Sequence, residues 1–177
     1  MHAKGFILML LFIYFLKQIL VKNRIESIIS LNTYRLAIVF GTRPEVIKLI
    51  PLIRELNSKK SLSCITINTG QHKEMIFQIL KSFNMNISID FNLKIMEKNQ
   101  SLSKLTSKII LELENLYSLI NPNAVIVQGD TTTSFAASLC AFYKKIPVFH
   151  VESGLRTDNL FSPFPEEFII SFNILSV

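Results

Sequence analysis

Glycine and proline are scarce: five and six residues in a chain of 177. That excludes collagen-like and low-complexity architectures, which need far more of both. Cysteine is scarcer still. Cys64 and Cys140 cannot build a disulfide scaffold or, alone, a four-ligand zinc site. Each has apolar neighbours and reads as a small buried hydrophobe. Charged residues are 18% of the chain against 49% hydrophobic, the reverse of a disordered composition. No GxGxxG, Walker GxxxxGK[ST], or serine or cysteine nucleophile signature is present. His72 and His150 stand alone, without metal-ligand spacing, so no metal is expected. The length fits one domain.

The formal net charge is +6. Most of the basic residues are lysines scattered along the chain, with pairs such as Lys59-Lys60 and Lys144-Lys145 at expected helix ends. There is no arginine-rich stripe and no zinc-finger or RNA-recognition signature, so no nucleic-acid partner is expected. A few cations suit an anionic small substrate equally well.

Phe6 to Leu16 is an unbroken apolar run, and Lys17-Gln18 interrupt it before Ile19-Leu20-Val21. As a helix the run would span roughly 16 Å, about half of a ~30 Å hydrocarbon core. His2 and Lys4 resemble the basic start of a signal peptide, but no small-x-small cleavage site follows. Residues 1–33 are read as an extension without a functional role, ahead of a self-sufficient domain over 34–167. The alternatives are an uncleaved signal-like segment and weak membrane association through residues 6–21.

From Arg35 onward strand-like and helix-like patterns alternate. Leu36–Phe40 is an apolar run suited to a buried parallel strand. Thr42 and Glu45 form a capping box opening a helix, Pro44 is tolerated in its first turn, and Pro51 is expected to bend it. Strands are expected over Leu62–Asn68, Ile87–Phe91, Ala124–Gln128 and Pro147–Val151. Helices are expected over about 71–83, from Ser101 or Ser103 to Ile120, and from the Gly129-Asp130-Thr131 turn through Lys145. This order predicts an α/β fold: a Rossmann-like parallel sheet with helices on both faces.

The polar motifs GTRPE, TGQH, QGDTTT and ESGLRT each follow a predicted strand directly. In an open α/β sheet those carboxyl ends form the rim where ligands bind. Arg43 and Lys48 lie in the first turns of a helix, where free N–H groups already favour anions; a solvated helix start is the simpler alternative. Asp130 sits in a strand-to-helix turn and could be only a helix cap. Glu152, at the mouth of a buried strand, is expected to be partly desolvated, with a raised pKa suited to acid/base work; an ion pair with Arg156 is the alternative. Glu166 and Glu167 open a helix after Ser162-Pro163-Phe164-Pro165, where compensation of the helix dipole would explain both.

Taken in order, FGTRPEVIKLIPLIREL, TGQHKEM, NPNAVIVQGDTTTSFAASLCAFYKKIPVFHVESGLRT and SPFPEE closely resemble the bacterial non-hydrolysing UDP-N-acetylglucosamine 2-epimerases, over roughly residues 35–167. The resemblance implies a two-domain GT-B fold, of which this chain holds the N-terminal half and lacks the second domain. It implies interconversion of UDP-GlcNAc and UDP-ManNAc for surface polysaccharides, without NAD or metal, in homodimers often activated by UDP-GlcNAc. It assigns substrate contacts to Arg43 and Lys48, catalysis to Asp130, Glu152 and Glu166, and a regulatory site to Gln71 and His72. A cytoplasmic location follows, because export would part the domain from a nucleotide-linked substrate.

The family's chemistry is an anti-elimination of UDP to 2-acetamidoglucal, followed by re-addition with protonation of C2 from the other face. It needs acid/base groups near C2 and cations for the departing phosphate. Carboxylates can also stabilise oxocarbenium-like charge at C1. The sequence leaves the family pattern after Glu167, where an Asn-Arg pair and a long helix are expected and Phe168 to Val177 stand instead, as a frameshift or truncated frame would produce. The rival readings are a hydrolysing epimerase or glycosyltransferase of the same fold, and a non-enzymatic remnant.

Overall fold

Leu36 to Phe40 is apolar at every position because both faces of its strand are covered. It lies within β1 (Tyr34–Phe40), the middle of a five-stranded parallel sheet ordered β3-β2-β1-β4-β5. The computed structural model describes residues 33–70, 76, 78, 81, 87–153, 157–159 and 161–175. The expectations for residues 6–21, for Gln71 and His72, and for most of a helix over 71–83 lie outside them.

The other strands are β2 (Leu62–Asn68), β3 (Phe91–Asn92), β4 (Ala124–Gln128) and β5 (Val148–Val151). Helices α1 (Arg43–Asn57), α2 (Leu102–Ile120), α3 (Thr132–Tyr143) and α4 (Glu166–Leu175) complete the described elements. Alternation along β1 divides its side chains. Leu36, Ile38 and Phe40 join Val46, Leu49 and Ile53 of α1 in one core cluster. Ala37 and Val39, fully buried, belong to the opposite face. There α3 packs on β1, β4 and β5, and α2 packs on α3.

Local chemistry sets the boundaries. Ser101 caps α2 by accepting the Lys104 N–H, and Asn121 ends it in the left-handed region at φ 44°. Pro51 stands inside α1 without ending it. The expected strand over Ile87–Phe91 is shorter, and only Phe91–Asn92 pairs with β2. Asp90 accounts for the difference. Its carboxylate accepts the Thr66 N–H at 2.8 Å, taking the place of a ladder carbonyl. Ile87 and Ile89 still pack on the core. In α4, Ile169 and Ile170 are buried, and Phe168 and Phe172 meet Phe135 of α3 edge-on at 5.8 and 5.0 Å.

Both cysteines behave as small hydrophobes. Burial pushes the Cys64 thiol up to about 12 and Cys140 to about 11. A disulfide-exchange reagent at pH 8 should therefore label neither thiol quickly in the folded chain, and both on unfolding. Rapid labelling of the native protein would contradict this burial.

Candidate functional site

Strand order reverses between β1 and β4, since β2 and β3 lie to one side of β1 and β5 lies beyond β4. A crevice opens at such a switch point, outside the carboxyl ends of the strands. Here it is a cleft of about 170 Å³ lined by Thr42, Lys48, Gln128, Asp130, Glu152 and their neighbours. Among the described residues, three of the four expected motif loops reach it. Helices α1 and α3 both begin at its wall, with Thr42, Pro44 and Thr131 among the lining residues. Two helix N-termini favour an anion there.

Glu45 holds this wall together. It is 1% exposed. Its Oε2 accepts the N–H groups of Gly41 (2.9 Å) and Thr42 (2.6 Å) and the Thr42 hydroxyl (2.8 Å). Its Oε1 accepts the Thr131 hydroxyl at 2.6 Å. The Glu45 arm of the expected capping box is therefore present, but the residue also ties the loop after β1 to the loop after β4. Burial pushes its carboxyl up, and the four donors pull against that rise.

On the β4 side, Gly129 turns the chain at φ 70°, and the Thr131 hydroxyl caps α3 by accepting the Ser134 N–H at 3.1 Å. The cap is thus Thr131, not Asp130. His150 Nε2 lies 2.7 Å from the Gly129 carbonyl, and burial lowers the pKa of the imidazole. As the neutral ring it donates to that carbonyl and steadies the turn that carries Asp130.

Glu152 corrects the sequence reading. It is exposed rather than desolvated, and its pKa is lowered, chiefly by a hydrogen bond from Lys48. Among the described residues its partner is the α1 lysine, and Gln128 donates to the same Oε2; the alternative partner Arg156 lies outside them. Glu152 also holds φ 63°, the left-handed region that non-glycine residues seldom adopt.

The structure brings Lys48, Asp130 and Glu152 together. Arg43 is exposed at the first position of α1 and is not among the described residues lining the cleft. Nor is Glu166, whose Oε2 is buried without a hydrogen-bond partner. Its neighbour Glu167 is 2% exposed and accepts the Thr157 N–H at 2.8 Å, a structural role. Sequence reasoning missed Gln128 and the second role of Glu45. For Gln128 the available signal was a lone amide ending an otherwise apolar strand.

A larger cavity of about 500 Å³ lies between α2, α3 and α4. Phe135, Phe161, Phe164 and Phe168 line it, with Thr106 and Thr132 as its polar groups. Its described lining offers no acid, base or cation. Among the described residues no group of three or more His, Cys, Asp and Glu side chains could hold a metal. No described helix is long and apolar enough to cross a membrane.

A doubly wound parallel sheet with a paired carboxylate and ammonium at its switch point defines a Rossmann-like domain of the kind that forms the N-terminal half of GT-B proteins. The family model described as UDP-N-acetylglucosamine 2-epimerase matches residues 54–170, and the chain belongs to that family. A UDP-N-acetylglucosamine 2-epimerase of Neisseria meningitidis is 52% identical over 129 residues, covering 73% of this chain and 34% of the relative. One from Bacillus subtilis is 50% identical over 129 residues, covering 73% and 33%. The solved Neisseria meningitidis enzyme bound to UDP-GlcNAc superposes with a TM-score of 0.76 at 46% identity, covering 80% of this chain and 38% of that one. The Methanocaldococcus jannaschii enzyme in complex with UDP-GlcNAc and UDP gives 0.74 at 35%, covering 80% and 38%. The chain spans about a third of the length of the relatives it matches.

Proposed function

We propose that this chain supplies one wall of an active site that interconverts UDP-GlcNAc and UDP-ManNAc in the cytoplasm. The observation that carries the reading is the convergence of Lys48, Asp130 and Glu152 on one cleft at the switch point. A base takes the C2 proton as the C1–O bond breaks and UDP departs with the electron pair. Return of a proton to the opposite face of C2, with UDP adding to C1, completes the inversion. Lys48 and the N-termini of α1 and α3 are placed to offset negative charge on the diphosphate. Glu152, held ionised by Lys48, is available as base or as a counter-charge for C1.

One wall does not preorganise a nucleotide sugar. The chain alone is therefore expected to convert no UDP-GlcNAc to UDP-ManNAc when products are followed by NMR. Joined after Glu167 to the remaining two thirds of the Bacillus subtilis relative, it should turn over. A correctly folded fusion without epimerase activity would overturn the reading. Release of free ManNAc and UDP would favour a hydrolysing enzyme.

A further inference from the structure

Gln128 ends β4 and is 3% exposed, behind four apolar residues. A buried amide N–H left without a partner forfeits the hydrogen bonds it made to water, so its bond is a strong indication of what the residue is for. The β4–β5 register pairs Gln128 with Val151, the residue before Glu152. That register brings the amide to the Glu152 carboxylate, and Nε2 donates to Oε2. Lys48 converges on the same oxygen from α1. Among the described residues Oε1 receives no hydrogen bond.

We infer that Gln128 is a positioning residue: it holds Glu152 by Oε2 at the end of β5, independently of Lys48, and leaves Oε1 open. The inference rests on the epimerase reading for its consequence. Lys48 is about half exposed on a flexible stem, and an anionic diphosphate in the cleft competes for it. When Lys48 turns to phosphate, Glu152 loses the main cause of its lowered pKa and gains proton affinity, as a base should. Gln128 carries no charge and does not follow the phosphate. It retains the carboxylate through that exchange. It also anchors a residue whose φ of 63° gives the backbone reason to relax.

Among the described residues the charged and titratable groups around Glu152 are Lys48 from α1, Asp130 and the buried Glu45 on the same cleft wall, and His150 two residues earlier in β5. Gln128→Met removes the donor, keeps the side-chain length and leaves every one of those charges in place. The test is the carbon-13 titration of the Glu152 carboxyl in the 177-residue chain, which needs no substrate. The Glu152 midpoint should move up in Gln128→Met and in Gln128→Asn, whose shorter amide falls short of Oε2. It should move further up when Lys48→Met is added than in either single variant. A purely structural Gln128 would lower the thermal midpoint and leave the titration alone. An unchanged Glu152 midpoint in whichever variant stays folded overturns the inference.

In the fusion, Gln128→Met should lower kcat more than it raises KM. A rise in KM alone would also overturn it. An inactive parent fusion defeats the epimerase reading instead, and the titration then decides the positioning role by itself.

Discussion

In the fusion with the remaining two thirds of the Bacillus subtilis relative, Asp130→Asn, Glu152→Gln and Glu166→Gln should each lower kcat roughly 100-fold or more, the scale of a positioned acid or base. Each change is nearly isosteric, so the loss should appear in kcat rather than in KM. The geometry ranks the three. Asp130 and Glu152 line one cleft, and Thr131 rather than Asp130 caps α3. An aspartate relieved of capping in a strand-to-helix turn is available for chemistry. Glu166 lies outside that cleft with Oε2 buried and without a partner, so its assignment depends on what the rest of the protein brings to it.

Glu167→Gln is the control. Its carboxylate accepts the Thr157 N–H, so the substitution should cost stability while kcat stays near the parent value. A Glu167→Gln loss in kcat equal to that of Glu166→Gln would assign both residues to the helix start and remove Glu166 from the site. Near-normal kcat in Glu152→Gln would remove the end of β5 from it.

Much of the fold was legible because burial leaves a plain trace in sequence. Apolar runs such as Leu36–Phe40 and Ala124–Val127 have no polar face to show, and each became a central strand. Capping chemistry marked Thr42, Ser101 and Asn121. The third strand was misjudged because Ile87 and Ile89 look strand-like, while the Asp90 carboxylate competes with the ladder for the Thr66 N–H.

The cleft was legible as a rim of polar loops, since strand ends in a parallel sheet share one edge. Its wiring was not. Lys48 and Glu152 are 104 positions apart, and which cation reaches which carboxylate depends on α1 crossing the sheet at that edge. An ion pair of Glu152 with Arg156, the alternative open in sequence, lies outside the described residues; among those described, Lys48 is the partner. Glu45 shows the same limit. Its spacing from Thr42 announced a cap, but nothing local announces Thr131, 86 positions away.

Replacing Glu45 by alanine should destabilise the chain by about 3 kcal/mol, because it strands buried N–H donors at Gly41 and Thr42 and unties the Thr131 hydroxyl. Glu45→Gln should cost far less, since one amide oxygen can still face the Gly41 and Thr42 donors while its NH2 group donates to Thr131. The two substitutions also separate charge from packing. Burial raises the folded pKa of Glu45 above its unfolded value, so the folded chain binds this proton more tightly than the unfolded chain does. The protonated form is the one the fold favours. That contribution is fully present below the ordinary carboxylate value and is lost as pH rises through the raised one. Glu97 works in the opposite sense. Hydrogen bonds from Lys104 and Lys108 hold it at about 2, so its contribution is present above the ordinary carboxylate value and fades as pH falls toward 2. Subtracting Glu45→Gln from the parent cancels Glu97 and every other shared group. Urea unfolding of both chains from pH 4 to 8 should then show the parent losing stability relative to Glu45→Gln as pH rises. A difference that grows with pH would mean that the four donors outweigh burial and that the cleft wall is built around a carboxylate held as the anion.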